Sequence, residues 1–223
     1  YSRQNINQKD ISEVNKVLKS NFLTQGNNVM RFEKIISKYT KAKYSVAVNS
    51  ASSALHIACL ALGVKKNDIV WTVPNTFVAS ANCAIHCGAT VDFVDIDPDD
   101  WNISISSLQK KLKIAKRRNK LPKLIIPVHF AGLPSNQEKI WALSKKYKFK
   151  ILEDASHSIG AKFKKQRSGS CKWSDITVFS FHPVKIITTG EGGMALTNNK
   201  ILSDRMKILR TNGISQSNFF NKK

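Results

Sequence analysis

The sequence predicts an α/β fold in which a mostly parallel sheet lies between helices. Short apolar runs alternate with helical patterns over most of the 223 residues, and this alternation is typical of parallel strands joined by right-handed helical crossovers. Residues that typically end helices or strands separate the predicted elements, as at Gly63, Pro74 and Gly88. The chain is therefore expected to build one open sheet with helices on both faces.

The elements are predicted in order from the spacing of their apolar residues. Two N-terminal helices carry apolar faces, one with Ile11, Val14 and Leu18 and one with Phe32 and Ile36. The later helices are predicted over residues 52–62, 77–87, 104–118, 136–147 and 200–209. Seven strands of the sheet are predicted over residues 44–48, 69–73, 91–94, 124–128, 150–153, 176–181 and 193–197, and a separate hairpin over residues 160–170.

The predicted elements belong to one domain that extends to residue 213. Residues 1–40 form its N-terminal helical segment, and no repeat, low-complexity stretch or long linker interrupts the pattern. Residues 214–223 are polar and have no periodicity, so they are expected to form a frayed end.

Composition indicates a cytoplasmic globular protein. The hydrophobic fraction of 42% is ordinary for such proteins, and no uncharged apolar run reaches 18 residues, so no membrane span is expected. The four cysteines are too few for a disulfide framework in a chain of this size. Cys59, Cys83 and Cys87 lie among small apolar residues, which is typical of buried free thiols in a reducing compartment.

Three side chains near one another raise the possibility of a zinc site. Cys83, His86 and Cys87 could face one another on a helix. No second pair of ligands lies nearby in the sequence, so no metal is expected.

The chain is strongly basic, with 36 lysines and arginines against 15 acids and a net charge of +21. Eight bases and no acids fall between Lys110 and Lys123. Such a run attracts anions, including nucleic acid or phosphorylated substrates. The run lacks interleaved aromatic residues and a glycine-rich RNA motif, which favours a solvated helix face over a nucleic-acid site.

An acid and a lysine stand near the two ends of residues 151–194. Asp154 follows an apolar run, and Lys185 lies in the stretch Phe-His-Pro-Val-Lys-Ile-Ile. Pyridoxal phosphate (PLP) chemistry needs a carboxylate to keep the pyridine nitrogen protonated and a lysine to hold the cofactor as a Schiff base. Alone, either residue is better explained as a helix cap or a solvated lysine, but together they predict an aminotransferase.

Other candidate residues follow strands, where open α/β sheets collect their ligands. Ser52 and Ser53 open an apolar helix, and hydroxyls at a helix N-terminus suit a phosphate, although plain N-capping explains them equally well. Phe77 could stack on a flat ring or fill the core, and the Ser180 hydroxyl could reach the same phosphate. The sequence lacks the Gly-x-Ser-x-Gly and Gly-x-Gly-x-x-Gly motifs of serine hydrolases and Rossmann dehydrogenases.

These segments resemble the sugar aminotransferases of the DegT/DnrJ/EryC1/StrS family. The resemblance is carried by residues 23–26, 49–55, 76–82, 94–98, 153–157 and 179–193. Within the family, residues 127–132 and 181–193 are most similar to the pseudaminic acid type of transaminase. The resemblance implies the large domain of a type I PLP-dependent transferase, with the family's smaller C-terminal domain missing from this chain.

The resemblance also implies roles for individual residues. Lys185 would carry PLP and move protons, Asp154 would pair with the pyridine nitrogen, and Phe77 would stack on the ring. The remaining cofactor contacts would come from Ala51, Ser52, His157 and Ser180. The nucleotide sugar would contact Tyr1, Leu23, Thr24, Gln25 and Gly26. A lysine at position 185 speaks against the family's dehydratase branch, where histidine takes that place.

The implied reaction is amino transfer from an amino acid, expected to be glutamate, to the 4-keto carbon of a UDP-linked 4-keto-6-deoxy-N-acetylhexosamine. The family implies a homodimer for the full-length protein, with the nucleotide sugar and the amino-acid donor as ligands. The alternative is a truncated, inactive PLP-fold fragment that acts only as a binding protein.

Overall fold

The computed structural model describes residues 3–214, so Tyr1 lies outside the described residues. The helices are α1 (Gln8–Leu18), α2 (Asn27–Thr40), α3 (Ala51–Ala61), α4 (Ala79–Ile85), α5 (Ile105–Arg117), α6 (Gln137–Tyr147) and α7 (Lys200–Arg210). The strands are β1 (Tyr44–Val48), β2 (Ile69–Thr72), β3 (Thr90–Phe93), β4 (Leu124–Ile125), β5 (Lys150–Asp154), β6 (Lys162–Phe163), β7 (Gln166–Arg167), β8 (Ile176–Ser180) and β9 (Gly193–Thr197).

Seven of these strands form one sheet in the order β1-β9-β8-β5-β4-β2-β3. Strands β3, β2, β4, β5 and β8 run parallel to one another, whereas β9 is antiparallel to both β1 and β8. The predicted mostly parallel, seven-stranded sheet is therefore confirmed. The expected hairpin is also present, as β6 paired with β7 in a separate two-stranded sheet.

Helices cover both faces of the sheet because successive strand residues point to opposite sides. On one face α3, α4 and α7 pack through residues such as Leu55, Ala84 and Met206. On the other face α5 and α6 pack through residues such as Leu108 and Ile140. Burying each such leucine or isoleucine contributes about 2 kcal/mol to the free energy of unfolding. The two helical layers therefore hold the strands, and with them the ends of the strands, in place.

Two predicted elements are shorter than expected. The strand predicted over residues 124–128 ends at Ile125, because Pro127 has no N–H to donate; its carbonyl instead accepts from the Asp154 N–H. The helix predicted over residues 77–87 begins only at Ala79, which leaves Phe77 in the preceding turn. The predicted stops hold, since Gly63 and Gly88 take positive φ values of 78° and 75° just after α3 and α4.

Two amphipathic helices differ in how they use their apolar faces. Helix α5 buries Leu108, Leu112 and Ala115, and all of its basic residues except the half-buried Lys111 are exposed, as expected for a solvated helix face. Helix α1 has no buried residue, and its apolar face is exposed.

Within residues 3–214 no helix is long and apolar enough to cross a membrane.

The close packing of β9 under the start of α3 gives a stability prediction. A Cβ added at Gly193 would lie 2.3 Å from the carbonyl carbon and oxygen of Ser50 and 2.5 Å from the nitrogen of Ala51. Because these are backbone atoms, we expect Gly193→Ala to lower the free energy of unfolding by about 2–3 kcal/mol in a urea titration. The control is Gly190→Ala, which meets nothing within 4 Å at φ 78° and should cost only about 1 kcal/mol. Equal losses in the two variants would contradict this account.

Candidate functional site

One cavity of about 430 Å³ opens at the carboxyl ends of the central strands, a volume typical of small-ligand sites. All seven residues predicted to contact the cofactor line it: Ala51, Ser52, Phe77, Asp154, His157, Ser180 and Lys185. They come from different parts of the chain and meet here because α3 begins, and β5 and β8 end, at the same edge of the sheet. The structure therefore brings these seven residues together in one cavity, whereas their roles stay predictions.

Asp154 is the last residue of β5, and its side chain is buried and fully engaged. One carboxylate oxygen accepts a hydrogen bond of 2.6 Å from the hydroxyl of Ser80. The other accepts from the hydroxyl and the backbone N–H of Ser156, at 2.6 and 3.2 Å. The Ser80 hydroxyl is within 2.8 Å of that of Thr76. These contacts fix the carboxylate in one orientation and leave its charge facing the cavity.

Lys185 follows β8 and is half-buried, with its Nζ 2.7 Å from Nε2 of His157. Burial lowers the pKa of the Lys185 amine, and the charge of Asp154 partly opposes this. The pKa of His157 is also lowered, first by burial and then by Lys185, while Asp154 again opposes the shift. Both groups therefore favour their neutral forms more than exposed counterparts do, and a neutral amine is nucleophilic and able to accept a proton.

The lowered pKa of Lys185 predicts selective labelling in the cofactor-free protein. Only the neutral amine reacts with an acylating reagent, so the labelling curve of Lys185 should reach its midpoint at lower pH than that of a free lysine derivative in the same buffer. Because Asp154 raises the pKa of Lys185, Asp154→Asn should shift the midpoint to still lower pH. Peptide mass spectrometry across a pH series measures the curves of both forms of the protein. A Lys185 curve that coincides with that of the free lysine derivative would contradict this account.

The first turn of α3 borders the cavity opposite the acid. Ser50 caps the helix, its hydroxyl accepting from the Ser53 N–H at 3.1 Å. Capping is thus performed by Ser50, which leaves Ser52 exposed at the cavity wall. The positive end of the helix dipole and the hydroxyls of Ser52 and Ser180 together suit a phosphate group.

Phe77 lies on the cavity wall and is 74% exposed. The alternative that Phe77 fills the core is therefore wrong. Its position in the turn before α4 leaves a ring face available to a flat ligand.

Sequence reasoning missed several polar residues that support the site. Ser80 and Ser156 hold Asp154, and a signal for each was present: Ser80 lies one helical turn after Thr76, and Ser156 lies two residues after the acid, as in an Asx turn. His129 also lines the cavity and is buried, and burial lowers the pKa of its imidazole, which keeps it neutral.

A second buried carboxylate, Glu153, lies beside these groups on β5. It accepts hydrogen bonds from the side chains of Gln137, Ser174 and Thr177 at 2.5, 3.1 and 2.7 Å. Removing one partner from such a group leaves a buried charge short of a hydrogen bond, which is costly. The network therefore anchors β5, and with it the backbone that presents Asp154.

Four residues predicted to contact the nucleotide sugar, Leu23, Thr24, Gln25 and Gly26, are not among the described residues that line the cavity. Leu23, Thr24, Gln25 and Gly26 form the exposed turn between α1 and α2, and Gln25 has a positive φ of 52°. Their role stays a prediction, as does that of Tyr1. Among residues 3–214, no group of three or more His, Cys, Asp or Glu side chains is arranged to hold a metal ion.

The residues of the cavity fit PLP as a group. The fixed, buried carboxylate of Asp154 suits the ring nitrogen of PLP, and the half-buried amine of Lys185, whose pKa is lowered, suits its aldehyde. The exposed ring of Phe77 suits the face of the cofactor ring, and the N-terminus of α3 suits the phosphate. This arrangement can bind an anionic carbonyl compound covalently and exchange protons with it.

Comparison with known proteins extends these observations. The chain is 44% identical over 214 residues to a UDP-4-amino-4,6-dideoxy-N-acetyl-beta-L-altrosamine transaminase of Campylobacter jejuni, an alignment that covers 96% of this chain and 55% of the relative. It is also 36% identical over 208 residues to the GDP-perosamine synthase of Escherichia coli, covering 93% of this chain and 55% of that relative.

Solved structures match in the same way. Helicobacter pylori PseC, an aminotransferase involved in the biosynthesis of pseudoaminic acid, superposes with a TM-score of 0.89 at 33% identity, covering 99% of this chain and 58% of PseC. The sugar aminotransferase Spr1654 of Streptococcus pneumoniae in its PMP form gives 0.88 at 29% identity, covering 98% and 58%. The chain thus spans a little over half the length of these relatives.

The family model covers nearly the whole chain, from residue 4 to residue 223. The chain belongs to the DegT/DnrJ/EryC1/StrS aminotransferase family.

Proposed function

We propose that this chain supplies the cofactor-binding site of a PLP-dependent sugar aminotransferase in nucleotide-sugar biosynthesis. The observation that carries the proposal is the meeting of Lys185, Asp154 and the start of α3 in one cavity. Family membership and the named transaminases among the relatives support it. When bound, PLP supplies an aldehyde that condenses with amines and a ring that withdraws electrons from the reacting carbon.

Lys185 would hold the cofactor through its Nζ and would move protons at the reacting carbons. Because burial lowers the pKa of the amine, the neutral Nζ would take a proton from the donor α-carbon and pass it to the cofactor in one half of the reaction, and would take a proton from the cofactor and pass it to the sugar carbon in the other half. His157, 2.7 Å away, would hold Nζ in position. Asp154 would keep the ring nitrogen protonated, because its fixed carboxylate presents a negative charge in a site partly shielded from water.

The remaining residues orient the cofactor. The phosphate would be held by the Ser52 and Ser180 hydroxyls and by the backbone N–H groups at Ala51 and Ser52, at the positive end of the α3 dipole. Phe77 would cover the ring of the cofactor.

We further propose that the amino group moves from glutamate to the 4-keto carbon of a UDP-linked 4-keto-6-deoxy-N-acetylhexosamine, as in pseudaminic acid type pathways. The similarity to the C. jejuni transaminase and to H. pylori PseC supports this substrate class. Leu23–Gly26 and Tyr1 are proposed to contact the nucleotide sugar, and the whole protein is proposed to be a cytoplasmic homodimer.

Two measurements test the proposal. The first mixes the chain with PLP, reduces the product with borohydride and maps the adduct by mass spectrometry, and it should place the adduct on Lys185 rather than on Lys172 or other lysines. The second follows amino transfer from glutamate to a UDP-linked 4-keto-6-deoxy sugar, with the GDP-linked analogue for comparison. Absence of any Lys185 adduct would refute the cofactor assignment, and preference for the GDP-linked sugar would refute the substrate assignment.

A second candidate function is a binding protein with the PLP fold and no turnover. It is the alternative that the sequence leaves open, and the part of the C. jejuni transaminase that the chain matches is 55% of its length. This candidate predicts a Lys185 adduct without amino transfer, so the same two measurements separate it from the enzyme.

A further inference from the structure

A dense group of lysines and arginines lies at the edge of the sheet where the parallel strands begin. The Lys123 N–H donates to the Ile69 carbonyl at 2.8 Å, and the Lys150 N–H donates to the Lys123 carbonyl at 2.9 Å, so the starts of β2, β4 and β5 lie side by side. Neighbouring strands are about 4.8 Å apart, which makes the edge of the seven-stranded sheet about 29 Å long. The cavity lies at the opposite edge, beyond the carboxyl ends of the strands.

Five segments that lead into β1, β2, β4, β5 and β8 carry fourteen lysines and arginines against two aspartates. The segments are residues 41–43, 65–68, 116–123, 145–150 and 172–175. Thirteen of the fourteen bases are exposed, and Lys123 is half-buried. Both aspartates are already in ion pairs, Asp68 with Lys123 at 3.3 Å and Asp175 with Lys150 at 3.1 Å. The lysines and arginines of these segments, here called the basic edge, therefore form a positively charged surface.

The basic edge is not a simple consequence of a lysine-rich composition, because part of the opposite edge is acidic. Residues 94–109, which follow β3 and lead into α5, carry four aspartates and no lysine or arginine. Within α5 the first five residues include no base, and the basic residues start at Lys110 and continue to the C-terminus of the helix. The bases are therefore concentrated at the end of the molecule that faces away from the cavity.

Helix dipoles explain only part of the basic edge. A lysine in the last turn of a helix interacts favourably with the negative end of the dipole, and Lys116 and Lys145 have that position. Lys65, Lys120 and Lys172 lie outside the helices. Crowding of like charges at one surface lowers the stability of the fold through mutual repulsion, and bound anions would relieve this repulsion. The basic edge is therefore better explained as a binding surface for a large anionic partner.

The composition of the basic edge favours a lipid surface over a nucleic acid. Twelve of its bases are lysines and two are arginines. Lysine is a flexible point charge that suits a diffuse layer of headgroups, whereas arginine is the residue that binds single phosphates with two parallel hydrogen bonds. The aromatic side chains of the same five segments, Tyr147, Phe149 and Trp173, are buried, so none of them can stack on a base.

We propose that the basic edge binds the surface of a lipid bilayer that contains anionic phospholipids. Lysines near such a surface are attracted by its negative potential, which falls off within a Debye length, about 10 Å at 0.1 M salt. The exposed large apolar side chains of residues 3–214 lie outside the five segments, so the attachment is electrostatic. Attachment by this edge points the cavity away from the bilayer and leaves it open to solutes. Binding by the basic edge does not depend on the function of the cavity.

The test is sedimentation of the full chain with lipid vesicles. Vesicles of phosphatidylcholine with about 30% phosphatidylglycerol should bind the chain at about 0.1 M salt, and vesicles of phosphatidylcholine alone should not. Raising the salt to about 0.5 M should weaken the binding at least about tenfold, because salt screens the attraction. Failure to bind the anionic vesicles, equal binding to the two kinds of vesicle, or binding that salt does not weaken would overturn the proposal.

Two variants of equal net charge locate the binding surface. The first carries four substitutions in the basic edge: Lys116→Gln, Arg117→Gln, Arg118→Gln and Lys120→Gln. The second, the matched control, carries four substitutions at exposed bases elsewhere: Lys139→Gln, Lys162→Gln, Lys164→Gln and Lys165→Gln. We expect the first to bind the anionic vesicles at least about tenfold more weakly and the control to lose less than about threefold. Equal losses would reflect net charge alone and would refute the assignment to the basic edge.

A second measurement uses the unmodified chain and so does not depend on the folding of a variant. Anionic vesicles should slow the acetylation of Lys65, Lys120 and Lys148, followed by peptide mass spectrometry, and should leave that of Lys139 and Lys162 unchanged. Protection of Lys139 and Lys162 instead would place the bilayer on another surface. Displacement of the chain from the vesicles by a DNA duplex at an equal concentration of phosphate groups would assign the edge to nucleic acid. Either result would contradict the proposal.

Discussion

Lys185→Ala is expected to abolish the borohydride-reducible PLP adduct completely and to lower the rate of amino transfer at least about 10³-fold. The adduct disappears because the variant lacks the Nζ that bonds to the aldehyde. The rate falls because removing a positioned general acid–base costs about 10² to 10⁴ in rate, before the loss of covalent binding is counted. Intact-mass spectrometry after reduction measures the first effect, and a coupled assay of glutamate consumption measures the second.

The control for this variant is Lys172→Ala, which removes an exposed lysine whose Nζ lies over the ring of Trp173. It should retain the adduct and the rate. Lys185 is half-buried, and its recorded side-chain hydrogen bond is with His157, so its removal should leave the circular dichroism spectrum and the urea midpoint close to those of the unmodified chain. An adduct of equal yield in Lys185→Ala would place the cofactor on another lysine and refute the assignment.

Asp154→Asn is expected to lower the rate of amino transfer about 10²- to 10³-fold and to weaken PLP binding. The amide keeps the shape of the carboxylate but removes the negative charge that holds the ring nitrogen protonated. Removing one preorganised electrostatic partner from an active site typically costs this much. The measurement is a PLP titration followed by absorbance, together with the rate of amino transfer at saturating PLP.

The protein should tolerate this change. With the amide nitrogen placed toward Ser80, the Ser80 hydroxyl can rotate to accept from it, and the hydroxyl and N–H of Ser156 can still donate to the amide oxygen. Asp204→Asn serves as the control, because Asp204 is an exposed partner of Lys200 on α7 and should change neither quantity. If Asp154→Asn kept its rate and affinity, the carboxylate would have no role at the ring nitrogen.

The sheet and its helices were predictable because their signals are local. Alternating apolar runs predicted all seven strands, and Gly63 and Gly88 marked the ends of two helices. The errors arose where a backbone constraint outweighed hydrophobicity, as at Pro127, or where an aromatic residue was assigned to a helix instead of a turn, as at Phe77. The apolar face of α1 has the expected pattern, but its exposure is a property of the packing and has no local signal.

By itself, the sequence determined the class of fold and the acid–lysine pair. Strand periodicity and the residues flanking Asp154 and Lys185 are local features that can be read from neighbouring positions in the sequence. Only the tertiary structure decided which hydroxyls hold Asp154, which group lies against Lys185, and which thiols meet. Those contacts join residues distant in sequence, such as Ser80 with Asp154 and Cys59 with Cys83. They depend on how α3, α4 and β5 pack, and side-chain packing over such separations leaves no periodic trace in a single sequence.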